Sequence, residues 1–280
     1  MVVLAGKATM SEMKIVRVGD IDVACVDRGR GAPLVLVHGF PLDHTMWDAQ
    51  IDALAARCRV IAPDLRGFGR TPLGAVGPAH GISMRQYADE LAELLAALGV
   101  DEPVVVCGFS MGGYVAWQFV LNHAERVRAL VQCDTRAAAD TDEARAGRLK
   151  MAAHVAEWGA ARVAEMMGPK LLAPRTFETR PEVVAAVREV VERTAPASIA
   201  AAQLGMAARE DVTARLAQID VPTLLLVGQE DAITPPAEMA TVAAAIPGAE
   251  LVVVPGAGHM TTTENPAAVN AALARFLARV

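Results

Sequence analysis

The sharpest chemical signal in the sequence is Gly108-Phe109-Ser110-Met111-Gly112, a serine framed by glycines two positions away on either side. It follows the apolar run Val104-Val105-Val106-Cys107 and precedes a helix-compatible stretch beginning Gly113-Tyr114. A serine on so tight a strand-to-helix turn is held in strained backbone geometry with its hydroxyl projecting from the sheet edge, and the glycines leave room for the neighbouring chain. The chemistry open to it is nucleophilic attack on an acyl carbon once a base removes its proton. A Gly/Ser turn that merely opens a helix is the competing reading, and the strand and helix on either side argue against it.

Presenting such a serine requires a buried sheet whose strands end along one edge, and the alternation of apolar runs with helix signals supplies one. Residues 14–18 and 21–26 are β-rich runs separated by Gly19-Asp20, the spacing of a tight hairpin, so the sheet is expected to begin antiparallel. Leu34-Val35-Leu36-Val37 is continuously apolar, as a strand covered on both faces must be, and Arg59-Val60-Ile61-Ala62 follows the same pattern. Further strands are expected at 104–107, 129–132, 223–227 and 250–254. Ser83 and Gln86 form a capping box for a helix with the stripe Tyr87, Leu91, Leu94, Leu95 and Leu98, ended by Gly99. Asn265 caps the last helix, with Pro266 in its first turn and Val269, Leu273, Phe276 and Leu277 as its buried stripe.

From about 136 to 218 the alternation stops. The sequence there is Ala-, Glu-, Arg- and Met-rich and helical, with breaks expected at Gly168-Pro169, Pro174, Pro181 and Pro196. A helical insertion of about eighty residues is too long for a simple crossover and reads as a lid over one edge of the sheet. The expected organisation is a single α/β domain: core from 1–135, helical lid from 136–218, and core again from 219–280.

At Ser110 the sequence resembles the α/β-hydrolase superfamily, in particular its esterase, enol-lactonase and cofactor-free haloperoxidase or perhydrolase group, and the resemblance runs from Leu34 to the C-terminal helix. It implies an α/β-hydrolase fold: a mostly parallel eight-stranded sheet with an N-terminal antiparallel hairpin and a helical lid. It also implies a chain order of nucleophile, acid, histidine. Asp231 in Gly228-Gln229-Glu230-Asp231 takes the acid position, and His259 in Pro255-Gly256-Ala257-Gly258-His259 takes the histidine position. His259 would remove the Ser110 proton while Asp231 fixes the imidazole tautomer. Glu230 and Asp134 compete for the acid role, Asp134 because some members place their acid after that strand; Asp231 matches the family position. His38-Gly39-Phe40 looks like the oxyanion loop, which assigns the backbone amides of Phe40 and Met111 to the oxyanion. His38, Leu42, Trp47 and Met166 are expected around the substrate, although a histidine at position 38 more often braces the loop. His44 either faces the pocket mouth or opens the next helix. Met151, Met166, Met167 and Met206 pack the lid or line a plastic apolar pocket. A serine at position 110, where an aspartate would be needed, disfavours the dehalogenase and epoxide-hydrolase branches.

The resemblance therefore implies a serine hydrolase of small to medium hydrophobic carboxylic esters or lactones, working through an acyl-enzyme without cofactor or metal. The same residues would serve C–C bond hydrolysis or perhydrolase/haloperoxidase-type chemistry, and a ligand sensor built on this fold is the reading from another class. Activity is expected to fall on acidification, because a protonated His259 cannot act as base.

Composition narrows the partners. The chain has 280 residues, 53% hydrophobic and 21% charged, with 26 Lys+Arg against 32 Asp+Glu, a formal net charge of −6. It can bury a large core, and an acidic chain without a basic run is not expected to bind nucleic acid. Asp64-Leu65-Arg66-Gly67-Phe68-Gly69-Arg70-Thr71 has glycine spacing but no phosphate-loop pattern, and reads as a structural turn. No apolar stretch reaches the ~18 residues of a membrane span, and Met1-Val2-Val3-Leu4-Ala5 is too short for a signal-peptide core. Cys25, Cys58, Cys107 and Cys133 form no C-x-x-C pair and read as packed thiols. The expectation is a soluble cytoplasmic protein with a small-molecule ester or lactone substrate, no membrane partner, and homo-oligomerisation left open.

Overall fold

The structure, a computed structural model, describes residues 13–75 and 80–280; the N-terminal piece from Met1 to Ala5 lies outside them. Strands β1 (Met13–Val18) and β2 (Ile21–Arg28) pair antiparallel across the Gly19-Asp20 turn, as the hairpin spacing predicts. Six parallel strands follow: β3 (Pro33–Val37), β4 (Arg59–Pro63), β5 (Val104–Phe109), β6 (Val127–Cys133), β7 (Thr223–Gly228) and β8 (Glu250–Val254). They assemble with the hairpin into one eight-stranded sheet in the order β1-β2-β4-β3-β5-β6-β7-β8. Every residue of β3, β5 and β7 is buried, which is why these strands read as unbroken apolar runs.

The helices are α1 (Asp48–Leu54), α2 (Met84–Ala97), α3 (Met111–Asn122), α4 (Asp142–Leu171), α5 (Pro174–Thr179), α6 (Pro181–Arg193), α7 (Pro196–Ala207), α8 (Pro236–Ala245), α9 (Thr261–Glu264) and α10 (Pro266–Leu277). Within the core, α2 packs on α3 and α1 on α10. The predicted caps form in part. Asn265 accepts from the Ala268 N–H, and Ser83 accepts from the Gln86 N–H at 3.0 Å. The Gln86 side chain does not complete the box; it reaches along the helix to Glu90 instead. Among the described residues no helix is long and apolar enough to cross a membrane.

Between β6 and β7 the chain is helical throughout, from α4 to α7 and a 3₁₀ segment, Thr213–Gln218. Pro174, Pro181 and Pro196 open α5, α6 and α7, positions where a missing N–H costs nothing. The break expected at Gly168-Pro169 is absent, and α4 runs through both residues. Pro169 and Glu165 are both exposed, a position where water can take the carbonyl that proline leaves unbonded. The kink falls earlier, at Gly159, whose φ of 74° and ψ of 164° suit only glycine.

Register explains how residues remote in sequence come together. Val37 lies opposite Gly108, Phe109 opposite Cys133, Cys133 opposite Leu226, and Gly228 opposite Val254. The segments following β3, β5, β6, β7 and β8 therefore leave the sheet along one edge, where open α/β sheets bind ligands.

Candidate active site

Ser110 sits between β5 and α3 with φ 50° and ψ −111°, a left-handed conformation rare outside glycine. Four bonds hold the strained turn: the Ser110 N–H donates to the Cys133 carbonyl at 2.9 Å, and the Ser110 carbonyl accepts from the Gly113 and Tyr114 N–H groups and the Thr135 hydroxyl. Glycine at 112 is a steric requirement, since a Cβ there would collide with the Val37 carbonyl oxygen and lie 2.6 Å from that of His38. The first turn of α3 thus presses directly on the end of β3.

The Ser110 hydroxyl lies 2.9 Å from His259 Nε2, and His259 Nδ1 lies 2.8 Å from Asp231 Oδ2. His259 is 1% and Asp231 4% exposed. The other oxygen of Asp231 accepts the N–H groups of Ile233 and Thr234 at 2.8 and 2.9 Å, which fixes the carboxylate's orientation. With Nδ1–H donated to Asp231, the Nε2 lone pair faces the serine. The Phe109 ring packs against the imidazole at 5.1 Å between centroids. The arrangement can move a proton from hydroxyl to imidazole while the carboxylate stabilises the cation that forms. Glu230 is exposed, and Asp134 bonds elsewhere, to the Gly228 N–H and the Thr261 hydroxyl.

The loop after β3 lies against this cluster. A Cβ on Gly39 would approach the Phe109 ring to 2.6 Å, which places Phe40 beside the turn that carries Ser110. Met111 is the first residue of α3, so its N–H has no partner in the helix ladder. The Phe40 side chain points away from solvent and meets Phe68 edge-on at 6.3 Å.

Of the four residues expected around the substrate, His38, Leu42 and Trp47 are buried and Met166 is exposed. His38 is buried with both ring nitrogens committed: Nδ1 bonds the Gly39 carbonyl at 2.9 Å, and Nε2 accepts from the Leu65 N–H at 2.9 Å. It braces two loops and has no nitrogen left for a substrate. Trp47 is 0% exposed and packs edge-on against Phe109, a layer behind the serine, and its indole N–H meets no acceptor among the described residues. Leu42 is buried in a turn closed by its own N–H on the Gly39 carbonyl. Met166 is 42% exposed on α4. His44 opens a 3₁₀ turn and pairs with Asp64 at 2.7 Å. Asp64 also accepts from the His44 and Arg70 amides, and Asp43 from Thr45 and Arg193, so these ligand-type side chains are committed to protein donors. They hold the 64–71 segment as the structural turn its spacing predicts.

His38 makes a testable contribution to stability. Burial pushes its imidazole below the ordinary value of 6.5, against the raising influence of the Gly39 carbonyl and the charges of Asp64 and Asp43. Below that ordinary value the unfolded chain takes up a proton that the folded state resists, so stability is lost as pH falls. The unfolding temperature should drop between about pH 7 and about pH 5 by less in His38→Gln than in the wild type. Parallel slopes would assign the acid sensitivity to other groups.

Several contacts around the site have no local sequence signal. The Glu264 carboxylate accepts from the Ala173 N–H and the Thr176 hydroxyl at the start of α5, and from the Gly258 N–H next to His259 at 2.8 Å. The Met260 N–H donates to the Leu171 carbonyl, and a side chain on Gly258 would strike the Leu172-Ala173 backbone. On the other side of the site, Arg193 pairs with Asp43 at 2.6 Å and the Thr194 hydroxyl donates to the Pro41 carbonyl. The helical insertion is therefore bonded both to the loop after β3 and to the loop carrying His259.

Known proteins share this architecture. The model of the family described as alpha/beta hydrolase fold matches residues 32–266. The chain belongs to the α/β-hydrolase family. Among solved structures, this α/β hydrolase is similar to a thermophilic esterase from Thermogutta terrifontis, with 42% identity, a TM-score of 0.91, and coverage of 95% of this chain and 98% of that one. It is also similar to the enol-lactonase from Burkholderia xenovorans LB400, with 26% identity, a TM-score of 0.86 and coverage of 95% and 100%. A non-heme haloperoxidase from Rhodococcus erythropolis is 30% identical, covering 90% of this chain and 94% of its own. The relatives of this α/β hydrolase thus include esterases, lactonases and haloperoxidases.

Proposed function

We propose that the protein is a serine hydrolase of small to medium hydrophobic carboxylic esters or lactones, acting through an acyl-enzyme. The observation that carries this reading is the continuous relay from Ser110 through His259 to Asp231, with both bonds under 3 Å. Ser110 attacks the carbonyl carbon as its proton passes to His259, which then protonates the leaving alkoxide; water repeats the sequence to release the acid. The amides of Phe40 and Met111 receive the developing oxyanion. The esterase and enol-lactonase relatives support the substrate class.

The helical insertion acts as the lid. An apolar cavity of about 180 Å³ opens on its outer side, with Leu171, Leu172, Val187 and Val191 deep in it, and its Leu171-Leu172 wall bonds to the His259 loop.

The test of the reading is a burst of p-nitrophenol from p-nitrophenyl butyrate, together with a phosphonate adduct mapped to Ser110 by mass spectrometry. Absence of both would sink it.

A further inference from the structure

Asp134, which follows β6, lies beside the relay. It is 0% exposed and adopts φ 49°, a conformation that aspartate and asparagine tolerate better than other side chains. Oδ1 accepts from the Gly228 N–H at 2.8 Å, at the start of the turn carrying Asp231, and Oδ2 accepts from the Thr261 hydroxyl, two residues beyond His259. The backbone continues the tie: the Asp134 N–H donates to the Leu226 carbonyl, and its carbonyl accepts from the Thr234 hydroxyl. Nitrogen and oxygen atoms of Asp134, Asp231 and His259 lie within 4.8 Å of one another.

Two carboxyl groups therefore share a buried space with a single imidazole. That imidazole is already bonded to Asp231, and no Lys or Arg pairs with Asp134 among the described residues. We propose that Asp134 is a positioning residue that works as a neutral carboxylic acid, joining the Asp231 turn to the His259 loop without adding a second negative charge. This rests on the relay reading above. The groups facing it are Cys133 on its own strand, Asp231 from the turn after β7, and His259 and Thr261 from the segment after β8. Burial, and then the charge of Asp231, push the Asp134 carboxyl well above the ordinary carboxylate range. In the neutral form the bond to Thr261 reverses, the Asp134 O–H donating to the rotated hydroxyl, while the other oxygen keeps the Gly228 amide, so both links survive.

Asparagine reproduces that neutral group, donor and acceptor alike, and suits the backbone; glycine suits the backbone but removes the group. The experiment measures kcat for p-nitrophenyl butyrate across pH in wild type, Asp134→Asn, Asp134→Gly and Asp231→Asn, with unfolding temperatures as a folding control. Asp134→Asn is expected to keep kcat within about threefold and leave the midpoint of the acid limb in place, while Asp134→Gly loses about 10²-fold through a misplaced relay. If Asp134→Gly fails to fold, Asp134→Ala takes its place as the variant that removes the group, with the same expected loss and the same overturning result. A midpoint lowered by about one pH unit in Asp134→Asn would show that a negative charge had been removed near His259, overturning the neutral assignment. Wild-type turnover in Asp134→Gly would overturn the positioning role. The Asp231→Asn arm separates the two ideas: full activity there defeats the relay reading itself, and with a large loss in Asp134→Asn it transfers the acid role to Asp134.

Discussion

Ser110→Ala should reduce kcat for p-nitrophenyl butyrate by about 10⁵-fold or more, to the level left by binding and oxyanion contacts alone. The change removes one oxygen whose bond runs to His259 and leaves every backbone bond of the turn in place. Alanine must still adopt φ near 50°, a strain the serine already bears, so stability should change by no more than about 1 kcal/mol. The variant should also resist the phosphonate that labels wild type. Retained turnover in well-folded Ser110→Ala would mean that another group performs the attack.

Asp231→Asn should lower kcat by about 10⁴-fold with the protein still folded. An asparagine oxygen can keep the Ile233 and Thr234 amides, so the turn is preserved. Its NH₂, however, would face His259 Nδ1 where a carboxylate oxygen now stands. The imidazole then bonds best as the tautomer with the proton on Nε2, which presents an N–H to the serine and no lone pair. A loss of only about tenfold would mean that Asp231 neither sets the tautomer nor stabilises the imidazolium.

What was legible in the sequence follows from the range over which each residue's environment is set. Ser110 announces itself because its turn is built from immediate neighbours: an apolar strand before, a helix after, and glycine where Val37 and His38 press close. Asp231 and His259 are legible only through the family resemblance, which expects them after strands that a parallel sheet brings to one edge. The side chains of the loop after β3 were legible only in part. Residue type does not say that Trp47 turns behind Phe109, whereas His38 braces its loop as a histidine at that position more often does. In α4 a proline looks like a stop, yet Pro169 lies at an exposed position and the helix continues through it, while Gly159 bends it without a proline. Glu264 carried no signal, because its partners at 173 and 176 become neighbours only after the insertion folds back on the sheet.

That same carboxylate has an implication for chimaeras. A foreign helical insertion with no hydroxyl at the place of Thr176 would take one of the donors from Glu264, a buried carboxylate that also holds the Gly258 N–H beside the base. Position 176 and position 264 therefore belong in the same graft, because what the insertion brings to one end of that carboxylate is felt at the histidine loop on the other.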